Sequence, residues 1–163
     1  DIIIPQGTSL VILQNEIPQE VNMEIALKAK KVDAEVWLNA APARELPNNL
    51  VKVIDLLIVN QVEAEFYSSL NLSLRVLKTL GAKGVYYDDV LYSGFSVDVV
   101  STHGAGDMFV GALAAQVVRG TPMVEAIRFA QAAAALTVSS QPERRKDLRA
   151  QSVIEFLIGQ NSL

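Results

Sequence analysis

Cysteine is absent from the 163-residue sequence, which excludes a disulfide-stabilised scaffold and any thiolate-ligated metal site. No apolar run approaches the ~18 residues that a transmembrane helix requires. Basic residues number 14 against 18 acidic ones, giving a net charge of −4, so a nucleic-acid or anionic-membrane surface is not expected. The first residues also lack the basic segment of a signal peptide. The sequence therefore predicts a cytoplasmic protein.

Apolar residues make up 50% of the sequence and charged residues 20%, the proportions of one globular domain. Short apolar runs alternate with amphipathic stretches along the whole chain. This alternation predicts a Rossmann-like three-layer αβα sandwich with a mainly parallel sheet, whose strands are covered on both faces. The predicted strands are Ser9–Gln14, Glu35–Asn39, Leu56–Asn60, Val76–Leu80, Tyr86–Tyr92 and Phe95–Val100, with the last two meeting at Gly94. The predicted helices are Pro18–Lys31, Gln61–Leu70, Met123–Val138 (capped by Thr121, with Pro122 in its first turn) and Asp147–Ile158.

A glycine-rich motif, HGAGDMFVGAL, runs from His103 to Leu113 and opens a helix of small residues. Glycines at a helix start leave the first N–H groups accessible, and the helix dipole adds positive potential, so the motif predicts an anion site. Asp107 stands where the anion would arrive and could accept a proton from an attacking hydroxyl group. A dinucleotide fingerprint would need glycine in place of Phe109, and the Gly-Lys-Ser/Thr of a Walker loop is absent. The spacing alone leaves a plain glycine turn with a helix-start acid equally open.

Several blocks of sequence resemble, in order, those of the ribokinase (PfkB-type) family of carbohydrate kinases, specifically its C-terminal half. They are LQNEIP (Leu13–Pro18), LNAAPARELP (Leu38–Pro47), VNQVEAE (Val59–Glu65), TLGAKG (Thr79–Gly84), GAGDMFVGALA (Gly104–Ala114) and EAIRFAQAAAALTV (Glu125–Val138). The resemblance implies one nucleotide-binding and catalytic domain over residues 1–163. It implies transfer of the γ-phosphoryl group of MgATP to a primary hydroxyl of a small sugar, and the first two blocks favour ribose.

The resemblance implies a role for each matching residue. Asp107 resembles the base that deprotonates the sugar hydroxyl. Gly104, Ala105 and Gly106 resemble the anion hole that stabilises charge on the transferring phosphoryl group. Asn60 and Glu63 match an Asn-x-x-Glu element near the phosphates, with Glu63 helping to hold hydrated Mg²⁺. Without the resemblance, Asn60 is a strand-end cap and Glu63 a surface acid on a helix.

Other matches concern the nucleotide and the sugar. Thr79, Gly81 and Gly84 match the nucleotide-binding turn, although alone they indicate only a strand entering a turn. Glu16 matches an acid that contacts the sugar, with a helix-start acid as the equal alternative. Gln131 matches a residue bordering the adenine pocket, and a polar residue on a buried helix is as good an interpretation.

The chain departs from the family before and after the glycine motif. Family members commonly have Asp-Thr-Thr where this chain has Ser101-Thr102-His103, in a stretch that contributes to a monovalent-cation site, so a requirement for K⁺ is left open. His103 is either a titratable neighbour of the phosphate or a tolerated loop substitution. After Ser140 the usual pattern is replaced by QPERRKDLRAQS. The mixed-sign run Glu143–Arg149 favours a solvated loop over a basic binding patch.

The family's N-terminal sugar-binding half, with its lid that often mediates dimerisation, is not visible in this sequence. A site without a lid stays wet, which weakens electrostatic stabilisation. The alternative function is therefore a catalytically impaired paralogue that binds a nucleotide or a sugar phosphate. A homodimer is a possible assembly. An unrelated flavodoxin-like domain is the third hypothesis, and it predicts no clustering of the candidate residues.

Overall fold

The computed structural model describes residues 2–69 and 74–160. These residues divide into two compact units. Unit 1 contains the described residues up to Leu80 together with Tyr86–Leu91, and unit 2 contains Gly81–Val85 and the described residues from Tyr92 onward.

The elements alternate between strand and helix through the first half of the described chain. The strands are β1 (Leu10–Gln14), β2 (Glu35–Asn39), β3 (Leu56–Val59), β4 (Arg75–Thr79), β5 (Gly84–Tyr87) and β6 (Val90–Ser93). The helices are α1 (Gln19–Lys30), α2 (Asn48–Val51), α3 (Gln61–Phe66), α4 (Ala105–Val118), α5 (Met123–Ser139) and α6 (Ala150–Gln160), and the 3-10 segments are Tyr67–Ser69, Gly81–Lys83 and Pro142–Asp147. The strands are ordered β1-β2-β3-β4-β5-β6 in one sheet, and β1 to β4 are parallel.

The centre of unit 1 is strand β3, in which all four residues are buried. Its continuous Leu-Leu-Ile-Val sequence suits a parallel strand that is covered on both faces. Leu57 pairs with Leu38 on one side and with Val76 on the other, so apolar side chains align across neighbouring strands. This packing fixes the register, because a one-residue slip would turn the apolar side chains to the opposite face.

Helices α4, α5 and α6 form most of unit 2. Helix α5 is rich in alanine and buries Ala126, Ala130 and Ala133 among others, so neighbouring helices can approach it closely. Phe95 packs edge-to-face on Phe156 of α6, with ring centroids 5.2 Å apart. Helix α5 is therefore largely buried within unit 2.

The predicted strand Phe95–Val100 is wrong, since no strand forms there. The Val100 N–H donates to the Val138 carbonyl oxygen at 2.8 Å, so this backbone pairs with the end of α5. The predicted strand Tyr86–Tyr92 is split into β5 and β6 at Asp88 and Asp89, whose φ angles are 51° and 59°. Two successive positive φ angles make the tight turn that suits a hairpin, so the chain reverses there and not at Gly94.

The start of helix α5 also differs from the prediction. Helix α5 begins at Met123 with Pro122 in the capping position, and the Thr121 hydroxyl bonds to the Gln116 side chain at 2.9 Å. Because that hydroxyl is already engaged within unit 2, the predicted Thr121 cap is wrong.

Other boundary differences lie near two of the three 3-10 segments described, Tyr67–Ser69 and Pro142–Asp147. Helix α3 ends at Phe66 and continues as the segment Tyr67–Ser69, so the predicted end at Leu70 lies outside the described residues. The predicted helix Asp147–Ile158 is instead the segment Pro142–Asp147 followed by α6, and Val153 of α6 is buried. Among the helices described, none is long and apolar enough to cross a membrane.

Candidate functional site

The candidate residues of unit 1 lie at the carboxyl ends of its parallel strands. Glu16 follows β1 in an exposed turn, Asn60 follows β3, and Thr79 ends β4. Parallel strands end at a common edge of the sheet, so the topology brings these residues to that edge. The Thr79 hydroxyl donates to the Val59 carbonyl oxygen at 3.4 Å, which links the ends of β3 and β4.

Asn60 and Glu63 form a capping box at the start of α3. The Glu63 N–H donates to Asn60 Oδ1 at 3.0 Å, and the Asn60 N–H donates to Glu63 Oε2 at 2.8 Å. The Asn60 side-chain amide also donates to Glu63 Oε1 at 2.9 Å. Asn60 is therefore a strand-end cap, while Glu63 is only 7% exposed, so its interpretation as a surface acid is wrong.

The carboxylate of Glu63 is held with both oxygens already accepting hydrogen bonds from Asn60. Each carboxylate oxygen has a further lone pair, and these can accept a hydrogen bond from a metal-bound water. Mg²⁺ usually keeps several of its waters and takes few protein ligands. No cluster of three or more His, Asp or Glu side chains suited to a metal occurs in the described parts of the chain. The residues present therefore fit a hydrated Mg²⁺ held mainly through water.

The turn after β4 depends on glycine at two positions in unit 2. Gly81 has a φ angle of 57° and Gly84 one of 114°, conformations that other residues rarely adopt. A Cβ atom added at Gly84 would overlap the Tyr92 carbonyl oxygen and lie 2.7 Å from the Gly94 nitrogen. Gly84 is thus required for close packing of backbone on backbone, whether or not a nucleotide binds.

The start of α4 exposes main-chain N–H groups. Gly104 occupies the capping position with a φ angle of 74°, and the Ala105 N–H donates to the Thr102 carbonyl oxygen at 3.3 Å. The N–H groups of Gly104, Gly106 and Asp107 have no acceptor among the described residues. Free N–H groups at the first turn of a 14-residue helix can bind an anion.

Asp107 is exposed at this helix start. Its carboxylate forms no hydrogen bond or ion pair with any residue that the structure describes. It is thus not held in the interior by an arginine, an arrangement that would have excluded it as a base. A free carboxylate beside free amides can accept a proton while the amides hold an anion.

Gln131 is buried and hydrogen-bonded within unit 2. It is 7% exposed on α5, and its Nε2 donates to the Tyr92 carbonyl oxygen at 2.8 Å. This bond satisfies one of its polar groups inside the unit. Gln131 therefore has a structural function that does not depend on adenine.

Two residues that the sequence analysis missed hold the loops near the candidate residues. Asn15 is 2% exposed, and its side-chain amide donates to the Pro42 carbonyl oxygen at 3.0 Å and the Tyr67 hydroxyl at 3.1 Å. Arg145 donates to the carbonyl oxygens of Ser101 and His103. The position of Asn15 next to Glu16, within the LQNEIP block, could have marked it as a candidate. Arg145 gave no such signal, because it lies in a charge run that predicted a solvated loop.

The structure thus gathers the candidates into groups within each unit. In unit 1, Asn60, Glu63 and Thr79 lie together at the sheet edge that Glu16 also follows. In unit 2, Gly104, Ala105, Gly106 and Asp107 form one group at the start of α4; Gly81 and Gly84 form the turn, and Gln131 lies on α5.

Solved structures of known proteins share this fold. The structure resembles that of Arabidopsis thaliana ribokinase complexed with ribose and ATP, with a TM-score of 0.80, 30% identity, and coverage of 91% of this chain and 55% of that one. It also resembles Thermotoga maritima ribokinase, with a TM-score of 0.78, 29% identity, and coverage of 91% and 56%. The fold is therefore the three-layer α/β sandwich of the ribokinase-fold kinases, as the sequence predicted.

The family follows from the sequence comparisons. The profile described as pfkB family carbohydrate kinase matches residues 2–146. Haemophilus influenzae ribokinase is 32% identical over 169 residues, covering 90% of this chain and 55% of the relative. Lactococcus lactis ribokinase is 35% identical over 143 residues, covering 80% and 48%. The chain belongs to the pfkB family of carbohydrate kinases, and it spans about half the length of these relatives.

Proposed function

We propose that this chain is the nucleotide-binding and catalytic part of an ATP-dependent sugar kinase that phosphorylates a primary hydroxyl of ribose. The observation that carries the proposal is the start of α4, where the unpartnered Asp107 carboxylate stands beside the free N–H groups of Gly104 and Gly106. Binding an anion alone would be easier without a carboxylate there. Proton acceptance from the attacking alcohol gives Asp107 a reason to be present.

In this mechanism Asp107 takes the proton of the sugar hydroxyl as its oxygen attacks the γ-phosphorus. The bond from phosphorus to the leaving oxygen of ADP breaks as the new bond forms. The N–H groups of Gly104, Ala105 and Gly106 stabilise the charge on the phosphoryl oxygens, with the Ala105 hydrogen shared between a phosphoryl oxygen and the Thr102 carbonyl oxygen at 3.3 Å. Fixed backbone dipoles stabilise a transition state well because they need not reorganise during the reaction.

Unit 1 contributes groups that suit the phosphates and the metal. Glu63, held by Asn60, would accept hydrogen bonds from the waters of Mg²⁺, which supplies charge neutralisation when bound. Thr79, at the end of β4, would contact the nucleotide with Gly81 and Gly84. Gln131 would border the adenine with the part of its amide that does not bond to Tyr92.

Ribose is favoured as the substrate because the relatives named above are ribokinases, and one of them is complexed with ribose and ATP. Glu16 is exposed after β1, where its carboxylate could accept hydrogen bonds from sugar hydroxyl groups. We further propose a cytoplasmic enzyme in which residues 1–163 act as one catalytic domain. The sugar-binding elements and lid of the family would complete the site.

The test measures ATP consumption with a panel of pentoses and hexoses for the complete gene product and its Asp107→Asn variant. Losing a general base costs about 10²- to 10⁴-fold in kcat. We expect that loss with ribose while MgATP binds at least as tightly as before. Asp98→Asn is the matched control, since Asp98 is also exposed in unit 2 and forms no contact in the described structure. Turnover retained in Asp107→Asn contradicts the mechanism.

A second candidate function is a nucleotide or sugar-phosphate binding paralogue without turnover. It is favoured by Ser101 and His103, which replace family residues beside the glycine motif. It predicts MgATP binding by calorimetry but no sugar-dependent ATP consumption in the wild-type protein. The two functions therefore differ in the unmutated protein before any variant is made.

A further inference from the structure

A single arginine side chain binds the loop that leads into α4. Arg145 Nη1 donates to the His103 carbonyl oxygen at 2.7 Å, and Nη2 donates to the Ser101 carbonyl oxygen at 2.8 Å. Its Nε donates to the Ser140 carbonyl oxygen at 3.4 Å. The guanidinium thus connects three main-chain carbonyl groups, two of which lie more than 40 residues away in sequence.

These contacts leave little freedom in the loop. The Thr102 carbonyl oxygen accepts from the Ala105 N–H, so the carbonyl groups of Ser101, Thr102 and His103 are all engaged. On the amide side, the N–H groups of Val100 and Ser101 both donate to the Val138 carbonyl oxygen, at 2.8 and 3.1 Å. The segment is held from both sides immediately before the free amides begin.

The His103 carbonyl group and the Gly104 N–H group belong to the same peptide plane. In a trans peptide they point in opposite directions, so fixing one fixes the other. Arg145 therefore turns the Gly104 N–H away from itself and leaves it without an internal acceptor. A cationic donor on the carbonyl oxygen also polarises the peptide and makes its N–H a stronger donor.

We propose that Arg145 is a positioning residue, a built-in cation that orients the Gly104 amide of the anion site and supplies positive charge behind it. The proposal rests on the proposed kinase function for its catalytic consequence. Within the described residues, the hydrogen bonds of the Arg145 guanidinium all go to main-chain carbonyl groups, so it acts through the loop and not on the substrate. The bidentate geometry of a guanidinium suits this task because one rigid group spans two carbonyls.

The position of Arg145 also bears on whether the protein requires K⁺, which the Ser101-Thr102-His103 sequence left open. A permanent side-chain cation bound to the carbonyl groups of Ser101, His103 and Ser140 removes the need for a free monovalent cation at this loop. Wild-type activity should then be the same in potassium and sodium buffers of equal ionic strength. Removing the guanidinium should make activity depend on an added cation.

The experiment compares Arg145→Ala and Arg145→Lys with the control Arg144→Ala in the complete gene product. Arg144 is the exposed neighbour on the same 3-10 segment, and within the described residues it bonds only through its backbone N–H, which donates to the Gln141 carbonyl oxygen. We expect Arg145→Ala to lose about 10- to 100-fold in kcat, less than removal of a whole oxyanion donor, with KM for the sugar unchanged. Guanidinium chloride below its denaturing range should restore part of that loss, and Arg145→Lys should retain an intermediate rate.

A readout that needs no turnover separates this proposal from the kinase proposal. Amide hydrogen exchange of Ser101–Asp107 is measured in each variant without ligand, with a global unfolding curve for comparison. Faster exchange confined to this loop in Arg145→Ala, together with guanidinium rescue of kcat, supports the positioning role. If the wild-type protein has no kinase activity, the test is whether guanidinium slows the hydrogen exchange of this loop in Arg145→Ala. Slower exchange supports the positioning role, and unchanged exchange contradicts it. Unchanged kcat and unchanged loop exchange in Arg145→Ala overturn it, as does a loss that guanidinium and lysine both fail to restore.

Discussion

Asn60 and Glu63 are joined by three hydrogen bonds that run in both directions across the first turn of α3. Two of them end on different oxygens of the Glu63 carboxylate, which fixes the orientation of that group. A capping box usually serves only to satisfy the helix start. Here the box holds a buried acid at the same sheet edge as Thr79, so the cap and the candidate metal site share their residues.

Replacing Glu63 with glutamine tests this shared role. The amide nitrogen of Glu63→Gln cannot accept a hydrogen bond, so one Asn60 donor loses its partner. Leaving a buried donor unsatisfied costs about 1–3 kcal/mol of unfolding free energy. Urea unfolding should show this loss. The Mg²⁺ concentration that supports half-maximal ATP consumption should rise, because a neutral amide holds metal-bound water less strongly.

Glu65→Gln is the control, since Glu65 is exposed on the same helix and its side chain forms no contact in the described structure. It should change neither the unfolding curve nor the Mg²⁺ titration. An altered stability with an unaltered Mg²⁺ requirement in Glu63→Gln would show that the carboxylate serves only as a cap.

The parallel strands β1 to β4 were the most predictable part of the fold. Strand β2 has the predicted bounds, Glu35–Asn39, because its apolar run is continuous and polar or small residues bound it. The hairpin turn at Asp88 and Asp89 was missed, since a positive φ is uncommon for a residue other than glycine, and here it is the pairing of the flanking strands that requires it. Local sequence does not carry that requirement.

For the candidate site, the sequence predicted where along the chain the residues lie but not their burial or their hydrogen-bond partners. The glycine motif predicted a helix starting near Gly104, and α4 begins at Ala105. The burial of Glu63 could not be predicted, because a glutamate in the first turn of a helix is ordinarily exposed. Arg145 was missed because two of its three carbonyl partners lie 42 and 44 residues away, and a mixed-sign charge run normally indicates a solvated segment.

Gly84→Ala should destabilise unit 2 strongly. The added Cβ would overlap the Tyr92 carbonyl oxygen, and the φ angle of 114° is unfavourable for alanine. Backbone displacement and strain together should cost about 3 kcal/mol or more. Gly7→Ala is the control, because Gly7 also has a positive φ, 81°, but open space around it. Its cost should be only about 1–2 kcal/mol by urea unfolding. Equal losses in the two variants would contradict the close-packing explanation.

The hairpin turn predicts a pH-dependent contact in unit 1. The Tyr86 hydroxyl donates to Asp89 Oδ1 at 3.2 Å, and this bond, with the negative charge of Asp89, raises the pKa of Tyr86 above its usual 10.0. A raised folded-state pKa stabilises the protein below the unfolded pKa, and that contribution is lost as pH rises through the folded value. Asp89→Asn should lower the pKa of Tyr86 in a tyrosinate absorbance titration, and Asp88→Asn should leave it nearer the wild-type value. An identical Tyr86 titration in Asp89→Asn would show that the contact does not form.

Gly106→Ala separates ligand approach from folding at the start of α4. Gly106 lies in the helix, and nothing stands within 4 Å of the position of an added Cβ, so the fold has room for alanine. The same is true of Gly111 five residues further on. Alanine in place of glycine in a helix stabilises by up to about 1 kcal/mol, so neither variant should unfold more easily in urea. Only Gly106→Ala should weaken MgATP binding and lower kcat/KM, by about 10-fold or more, because its methyl group would stand beside the amides that hold the phosphoryl oxygens. Full activity in Gly106→Ala would mean that no phosphate approaches this turn.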